Sequence, residues 1–497
     1  MPGFQPSAYQ TAIYDWVQSS RGSAVVIAVA GSGKTSTILA SLPYMGTASA
    51  QLYAFNTAIA AELKARIPPD AFNVRASTFH SAGYRAICRA LGLKRIETNS
   101  RKLQAICRVK LGWEDRRKYE ATACRLVSLA KGSGVGTTLV EDSDEVWLEM
   151  IDYHDLDVEL GTEQTVVKLA RQLLAWSTEA AAENYSIDFD DQLYLPELWD
   201  LALDQTDWVI VDEAQDTNGI RRAMMGRTVK SGGRVLCVGD PCQAIYGFTG
   251  ASQEAIGIIK DQWGAIELPL SVSYRCPQAV VELAQSLVPY IEPAPHAPLG
   301  TVRTSTSTLV LKELGPADAV LCRTNAPLVG LAYDCLSKGI PCQILGRDIS
   351  TGLAKLVEKL EATNLDDLTE KLSDWEHREI KRYEDRDQPG KAAGVRDRAS
   401  CLFTLIEHLP PADHRVQALL AVLDRLFSDD ITQRLTLSSV HKAKGKEWPK
   451  VAILRPDLMP GPWAKQDWER QQERNVQYVA WTRAREALYF IQPDGAD

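Results

Sequence analysis

AVVIAVAGSGKTSTILASL, residues 24–42, is the stretch on which the fold turns. Its opening, Ala24–Ala28, is small and β-branched and reads as a buried strand, while TILASL at 37–42 reads as the start of a helix. Between them runs AVAGSGKTS, 28–36. Glycines let this backbone fold tightly enough for its N–H groups to face phosphate oxygens, at a helix N-terminus that favours negative charge. Ala30, Gly31, Ser32, Gly33 and Ser36 form the cradle, Lys34 reaches the β- and γ-phosphates of ATP, and the Thr35 hydroxyl holds Mg2+. A bare Gly-Lys-Ser/Thr tripeptide arises by chance in about one chain in five of this length. Gly31, the strand before and the helix after therefore carry the assignment, although Ala28 replaces the first glycine of the general pattern.

A phosphate loop needs a carboxylate for the metal and a group that activates water. WVIVDEAQDTN at 208–218 supplies both, with Asp212 and Glu213 at the C-terminal end of an apolar strand. Asp212 is the expected metal partner and Glu213 the expected base.

On either side of these motifs short apolar runs alternate with helical stretches, the pattern of an α/β protein with parallel sheets. Expected strands are Ala24–Ala28, Gln51–Phe55, Trp208–Val211, Arg234–Val238, Ala319–Cys322, Cys342–Leu345, Leu435–Ser438, Val451–Leu454 and Leu488–Ile491, in two groups divided near residue 265. Each group is interrupted by helix. In 85–184, Val166, Leu169, Leu173 and Trp176 share one stripe and KGSGVG at 131–136 punctuates the pattern. In 351–430, the mixed-charge run EHREIKRYEDRD at 376–387 reads as a solvated face.

The length of 497 residues, at about 150 per domain, predicts two to four domains. With 45% apolar and 24% charged residues, disordered and collagen-like chains are excluded. A net charge of −9 and a pI near 5.5 exclude a uniformly basic nucleic-acid binder, so any DNA track must be a local groove. The longest clean apolar run, 24–30, is too short to span a membrane, and MPGFQPSAYQ shows no signal pattern, so the reading is intracellular, without a membrane partner. Ten cysteines with no C-x-x-C pair read as small core residues.

AVAGSGKT and VDEAQDTN resemble the two nucleotide motifs of the superfamily 1 DNA helicases of the UvrD/Rep/PcrA type, and further motifs follow in that family's order from about residue 4 to 487. FQPSAYQ (4–10) resembles the adenine-reading motif, with Gln10 on the base. YAFNTAIAAEL (53–63) and STFHSAG (77–83) resemble DNA-contacting segments, implying DNA contacts for Phe55, Asn56, Thr78 and His80. VGDPCQAIYGFTGA (238–251) resembles the motif joining nucleotide to DNA, with Gln243 at the γ-phosphate and Phe248 as a second stacking aromatic. LSVSYRCP (270–277) brings Tyr274 to adenine and Arg275 to the γ-phosphate. TLSSVHKAKGKEWPKV (436–451) implies His441 on DNA and Glu447 at the ribose, and NVQYVAWTRARE (475–486) implies Arg483 as a second arginine finger.

The resemblance implies two RecA-like lobes, 1–84 with 185–265 and 266–350 with 431–497, the first interrupted by a helical insertion at 85–184 and the second by a reduced one at 351–430. ATP would lie in the cleft between them, and hydrolysis would drive movement on single-stranded DNA, 3′-to-5′, with unwinding at single-strand/duplex junctions. The resemblance implies a role in DNA repair or replication, in a bacterial, phage or plasmid setting with a nuclear one left open, and does not say which pathway. Three departures stand out: Gly247 and Thr249 flank Phe248 where the family often has a cation, Lys446 replaces a usual apolar residue, and only eleven residues follow Glu486. Two alternatives stay open. One is a translocase or protein stripper without robust unwinding; the other is an ATP-switched module that gates a protein partner.

Overall fold

The structure is a computed structural model that describes residues 5–54, 56–69, 71, 73–154, 156, 158–159, 161–245, 254–385, 388–409, 415–428 and 434–492. Phe55 and Phe248, both expected to stack on DNA bases, lie outside the described residues, as do Gly247 and Thr249. The chain forms two compact units, Met1–Val29 with Gly33–Ser271, and Ala30–Ser32 with Val272–Asp497.

The first unit is built on six strands: β1 (Ala24–Ala28), β2 (Ala50–Ala54), β3 (Val74–Thr78), β4 (Thr206–Asp212), β5 (Val229–Gly239) and β6 (Ile266–Leu270). They pair in the order β3-β2-β4-β5-β1-β6, every pairing parallel. Strand residues alternate between two apolar layers. Val26, Leu52, Ile210 and Leu236 face one layer with Ile13, Trp16 and Ile38, while Val25, Tyr53, Val209 and Val235 face the other with Phe79, Ile220 and Met224. Helices therefore cover both faces, which is why the central strands are apolar throughout.

These helices are α1 (Ala8–Ser19), α2 (Lys34–Ser41), α3 (Thr57–Arg66), α4 (Phe79–Ala90), α5 (Lys102–Lys110), α6 (Trp113–Ser133), α7 (Asp144–Tyr153), α8 (Glu163–Asn184), α9 (Asp191–Leu198), α10 (Gly219–Thr228) and α11 (Ala255–Gln262). α5 to α8 enclose a core of their own around Trp147, with Leu126, Val166 and Leu173 fully buried. The stripe of Val166, Leu169, Leu173 and Trp176 faces this core, and α6 stops at Gly134, a left-handed residue at φ 85° inside KGSGVG.

The second unit has the two-residue strands β7 (Val272–Ser273) and β8 (Glu292–Pro293), paired with each other, and a seven-stranded sheet. That sheet is formed by β9 (Thr301–Thr306), β10 (Ala319–Cys322), β11 (Cys342–Leu345), β12 (Phe427–Ser428), β13 (Leu435–Ser439), β14 (Trp448–Leu454) and β15 (Ala484–Gln492). Its order is β12-β11-β13-β10-β14-β15-β9, again all parallel. Its helices are α12 (Gln278–Ala284), α13 (Ser307–Glu313), α14 (Ala326–Ser337), α15 (Arg347–Lys359), α16 (Leu365–Glu384), α17 (Pro389–Glu407), α18 (Val416–Leu426), α19 (Val440–Ala443) and α20 (Asp467–Trp481). Helices α15 to α18 share one apolar core with the sheet: Leu353, Leu368, Leu402 and Leu423 pack with Ile344 and Leu437. Among the described residues, the 351–430 stretch, unlike 85–184, packs into the core of its sheet and shows no core separate from it.

Both units are thus α/β with parallel sheets of the RecA type. All ten cysteines are free, nine of them buried. Among the described residues no helix is long and apolar enough to cross a membrane.

Candidate functional site

In the first unit the C-terminal ends of β1, β4 and β5 converge on the start of α2, the crevice position at which parallel α/β sheets bind ligands. Gly31 and Gly33 adopt left-handed backbone, φ 74° and 77°, which side-chain-bearing residues resist, and Gly33 caps α2. Lys34 and Thr35 open that helix. Ser32 Oγ is buried without a hydrogen-bond partner, an acceptor and donor left for a ligand.

Thr35 Oγ1 donates to Asp212 Oδ2 at 2.8 Å, and Lys34 Nζ lies 3.5 Å from Glu213 Oε1. Burial pushes the Asp212 carboxyl up to about 6, with Glu213 adding to the rise and Lys34 and Thr35 opposing it. A hydroxyl and a carboxylate side by side are hard oxygen ligands, and Mg2+ favours one or two carboxylates completed by phosphates and water. The donor set fits that ion. Glu213 itself has φ 55°, a left-handed conformation that costs a non-glycine residue about 1 kcal/mol or more and concentrates at functional sites.

Behind Glu213 runs a polar chain that the sequence reading did not assign. Gln215 Nε2 donates to Glu213 Oε2 at 2.5 Å, Asp240 N donates to Gln215 Oε1 at 3.0 Å, and Gln243 Nε2 donates to Asp240 Oδ2 at 2.6 Å. Gln243 is therefore linked to Glu213 through Asp240, by its side chain and its backbone N–H, and the Gln215 side chain. The signal available was VGDP at the end of an apolar strand: Asp240 directly follows the last residue of β5, and Asp212 is the last residue of β4.

Gln10 is 1% exposed. Its Oε1 accepts from Ser7 N at 2.9 Å in a capping box, and its Nε2 donates to Thr37 Oγ1 at 3.0 Å, tying α1 to the phosphate-loop helix. One amide hydrogen remains for a base. Ser36 is in the first turn of α2, its Oγ accepting from Arg66 at 3.3 Å, and Ala30 is fully buried.

Of the residues expected on DNA, Asn56 and Thr78 cap α3 and α4 by accepting from Ile59 N and Ser81 N. His80 stacks on Phe189 with ring centroids 3.8 Å apart, and burial together with Arg221 pushes its pKa down to about 3, so the imidazole is neutral at pH 7. Phe189 is 55% exposed and borders a cavity of about 260 Å3 with His80, Arg125 and Arg221. Sequence reading missed Phe189; its signal was an aromatic inside the acidic segment DFDD.

In the second unit, Tyr274 is exposed and Arg275 Nε donates to Glu447 Oε2 at 2.5 Å, so the residue expected at the ribose holds an expected arginine finger. Arg483 is buried, donating to the carbonyls of Val479 (2.9 Å) and Lys446 (3.1 Å). His441 is half-buried and also held near a pKa of 3, by burial and then by Arg323 and Lys444. Lys442 pairs with Asp348 at 2.8 Å.

Parallel sheets, a strand–glycine loop–helix cradle, an adjoining Thr–Asp oxygen pair and a strained glutamate define a P-loop nucleotide-binding protein. The chain belongs to the UvrD/REP helicase family: the UvrD/REP helicase N-terminal domain matches residues 10–263 and the UvrD-like helicase C-terminal domain matches residues 353–494. It is 26% identical over 557 residues to the ATP-dependent DNA helicase UvrD2 of Mycobacterium tuberculosis (94% of this chain, 76% of the relative). It is 24% identical over 512 residues to F-box DNA helicase protein 1 of Schizosaccharomyces pombe (93% and 55%). A probable DNA helicase II homolog of Mycoplasma capricolum is 30% identical over 140 residues (26% and 19%). The chain thus spans between 19% and 76% of the length of these relatives.

Proposed function

We propose that the protein is an ATP-dependent motor on DNA: it couples ATP hydrolysis to 3′-to-5′ movement on single strands inside the cell and unwinds duplex at single-strand/duplex junctions. The observation that carries this reading is Glu213, held in strained backbone beside Lys34 and joined through Gln215 and Asp240 to Gln243. A γ-phosphate contact at Gln243 is thereby communicated to the base.

In this reading Lys34 binds the β- and γ-phosphates and the backbone of 30–33 cradles them, with Ser32 Oγ as a further partner. Gln10 reads adenine with its remaining amide hydrogen. Thr35 and Asp212 hold Mg2+, which when bound neutralises charge on the phosphate oxygens. Water attacks the γ-phosphorus as the bond to the bridging oxygen of ADP breaks, and Glu213 accepts the water proton. Arg275 and Arg483 are assigned to the charge on the γ-phosphoryl oxygens, Tyr274 to adenine and Glu447 to the ribose. Asn56, Thr78, His80, His441 and the exposed Phe189 are assigned to DNA.

One observation favours translocation without robust unwinding as a second reading. Among the described residues, helices α15 to α18 share the core of the second sheet and do not form a core of their own, as α5 to α8 do in the first unit. Strand displacement on 3′- and 5′-tailed duplexes, measured beside translocation on single strands, decides between them. Unwinding of the 3′-tailed substrate alone supports the first reading; translocation with no displacement supports the second.

A further inference from the structure

Four charges are buried together in the first unit, on residues that belong to neither nucleotide motif. Lys102 Nζ lies 2.6 Å from Asp191 Oδ2, and Lys131 Nζ lies 2.7 Å from both Asp188 Oδ2 and Asp191 Oδ1, with Ser177 Oγ accepting a further bond at 3.0 Å. Lys102, Lys131 and Asp191 are each no more than 1% exposed. Burying two ammonium groups and two carboxylates is expensive, and an apolar cluster of equal volume is often as stable. Such a cluster is best explained by what it orients.

What it orients is a turn. Asp188 N donates to Asp191 Oδ2 at 2.9 Å and Asp191 N donates to Asp188 Oδ1 at 2.8 Å, so the two carboxylates that take the lysines also clamp the backbone between them. That backbone carries Phe189 and Asp190. Asp190 Oδ2 accepts from Ser128 Oγ at 2.5 Å on α6, the helix that also supplies Lys131, and Phe189 projects onto the His80 ring. A large aromatic ring is thus held open to solvent, backed by a neutral imidazole and a locked turn. Preorganising a stacking platform removes the entropy a mobile ring would lose on binding a base.

We infer that Lys102, Lys131, Asp188 and Asp191 are positioning residues for single-strand binding: they lock the 188–191 turn so that Phe189 presents its face to a nucleobase. The inference rests on the reading of the protein as a single-strand DNA motor. None of the four touches the nucleotide-site residues described above, so their loss should act on DNA affinity and not on the chemical step.

The test is a double-mutant cycle on the full chain, reading ATPase activity against oligo-dT concentration. Lys131→Met and Phe189→Ala should each raise the half-saturating oligo-dT concentration about tenfold. Lys131→Met should leave turnover at saturating DNA and the KM for ATP within about twofold, and Lys131→Met combined with Phe189→Ala should be no weaker than Phe189→Ala alone, because both act through one ring. Lys131→Arg should restore most of the loss. Should Lys131→Met fail to fold, Ser177→Ala, which strands no charge, should still raise half-saturation by about threefold. Additive losses in the double variant, or an unchanged half-saturation in folded Lys131→Met or Ser177→Ala, would overturn the inference. A wild-type ATPase indifferent to oligo-dT would instead overturn the motor reading, and the inference with it.

Discussion

Thr35 Oγ1 donates to Asp212 Oδ2 across 2.8 Å, joining the first turn of α2 to the end of β4. Residues far apart in sequence are brought to one point because β4 sits beside β5, and β5 beside β1, in a parallel sheet. An oxygen pair of this kind beside a lysine suits a magnesium nucleotide, and it gives the first prediction.

Thr35→Ala should weaken magnesium-dependent ATP binding and reduce turnover by about a hundredfold, as loss of a metal-held phosphate contact costs several kcal/mol. Steady-state kinetics across a magnesium titration will read it. Turnover and magnesium dependence equal to wild type would remove Thr35 and Asp212 from the metal site.

Glu213→Gln keeps the shape of the side chain proposed as the base and removes its proton affinity. Turnover should fall about 10²- to 10⁴-fold, while ATP-dependent binding to single strands persists. Rapid-quench turnover and fluorescence anisotropy with a labelled oligonucleotide separate the two effects. Near-normal turnover would mean that another group activates water.

Gln215→Leu should be a coupling defect. It removes the link between Glu213 and Asp240 and leaves Asp240 N without its partner, a loss of about 1–3 kcal/mol that corresponds to roughly ten- to a hundredfold in rate. The account requires the loss to fall mainly on DNA-stimulated turnover. An equal loss in basal and stimulated rates would show that Gln215 only supports the fold.

His80 gives a pH-dependent stability. Its folded pKa, near 3, lies below the ordinary 6.5, so the unfolded chain binds the extra proton. The stability it contributes is fully present above pH 6.5 and is lost as pH falls toward 3, about 2 kcal/mol between pH 6.5 and 5. Denaturant melts at pH 7 and pH 5 should therefore differ less for His80→Gln than for wild type, by about that amount. An identical difference in both proteins would mean that His80 titrates normally when folded.

Arg234 packs against two perpendicular indole rings, 4.3 Å from Trp16 and 3.9 Å from Trp208, and donates to the carbonyls of Gly22, Val17 and Trp16. Arg234→Lys keeps the charge but not the planar fork, so it should destabilise the first unit nearly as much as Arg234→Ala, by about 2 kcal/mol. Full recovery of the melting midpoint by lysine would reduce the contact to simple charge.

The central strands were legible because both of their faces are buried. Ala24–Ala28, Ala319–Cys322 and Cys342–Leu345 match residue for residue, and the other apolar runs differ only at their ends. The strands not anticipated lie where that signal fails. Val74–Thr78, Ile266–Leu270 and Thr301–Thr306 are edge strands, half-exposed and carrying Arg75, Glu267, Pro269 and Arg303, so no apolar run announces them. At the candidate site, the proximity of Thr35 to Asp212 and of Lys34 to Glu213 was legible because each residue stands inside one of two local motifs. The links through Gln215 and Asp240, and the lock on the Phe189 turn by lysines 57 and 89 residues from the carboxylates they meet, arise only from packing and leave no spacing to read.

ATP turnover measured with and without oligo-dT tests whether single-stranded DNA governs the ATP site of this protein. The account predicts stimulation of about tenfold or more, with half-saturation that shifts on Phe189→Ala. Turnover that is slow and the same with and without DNA would contradict it and would point to a nucleotide-switched binding protein instead.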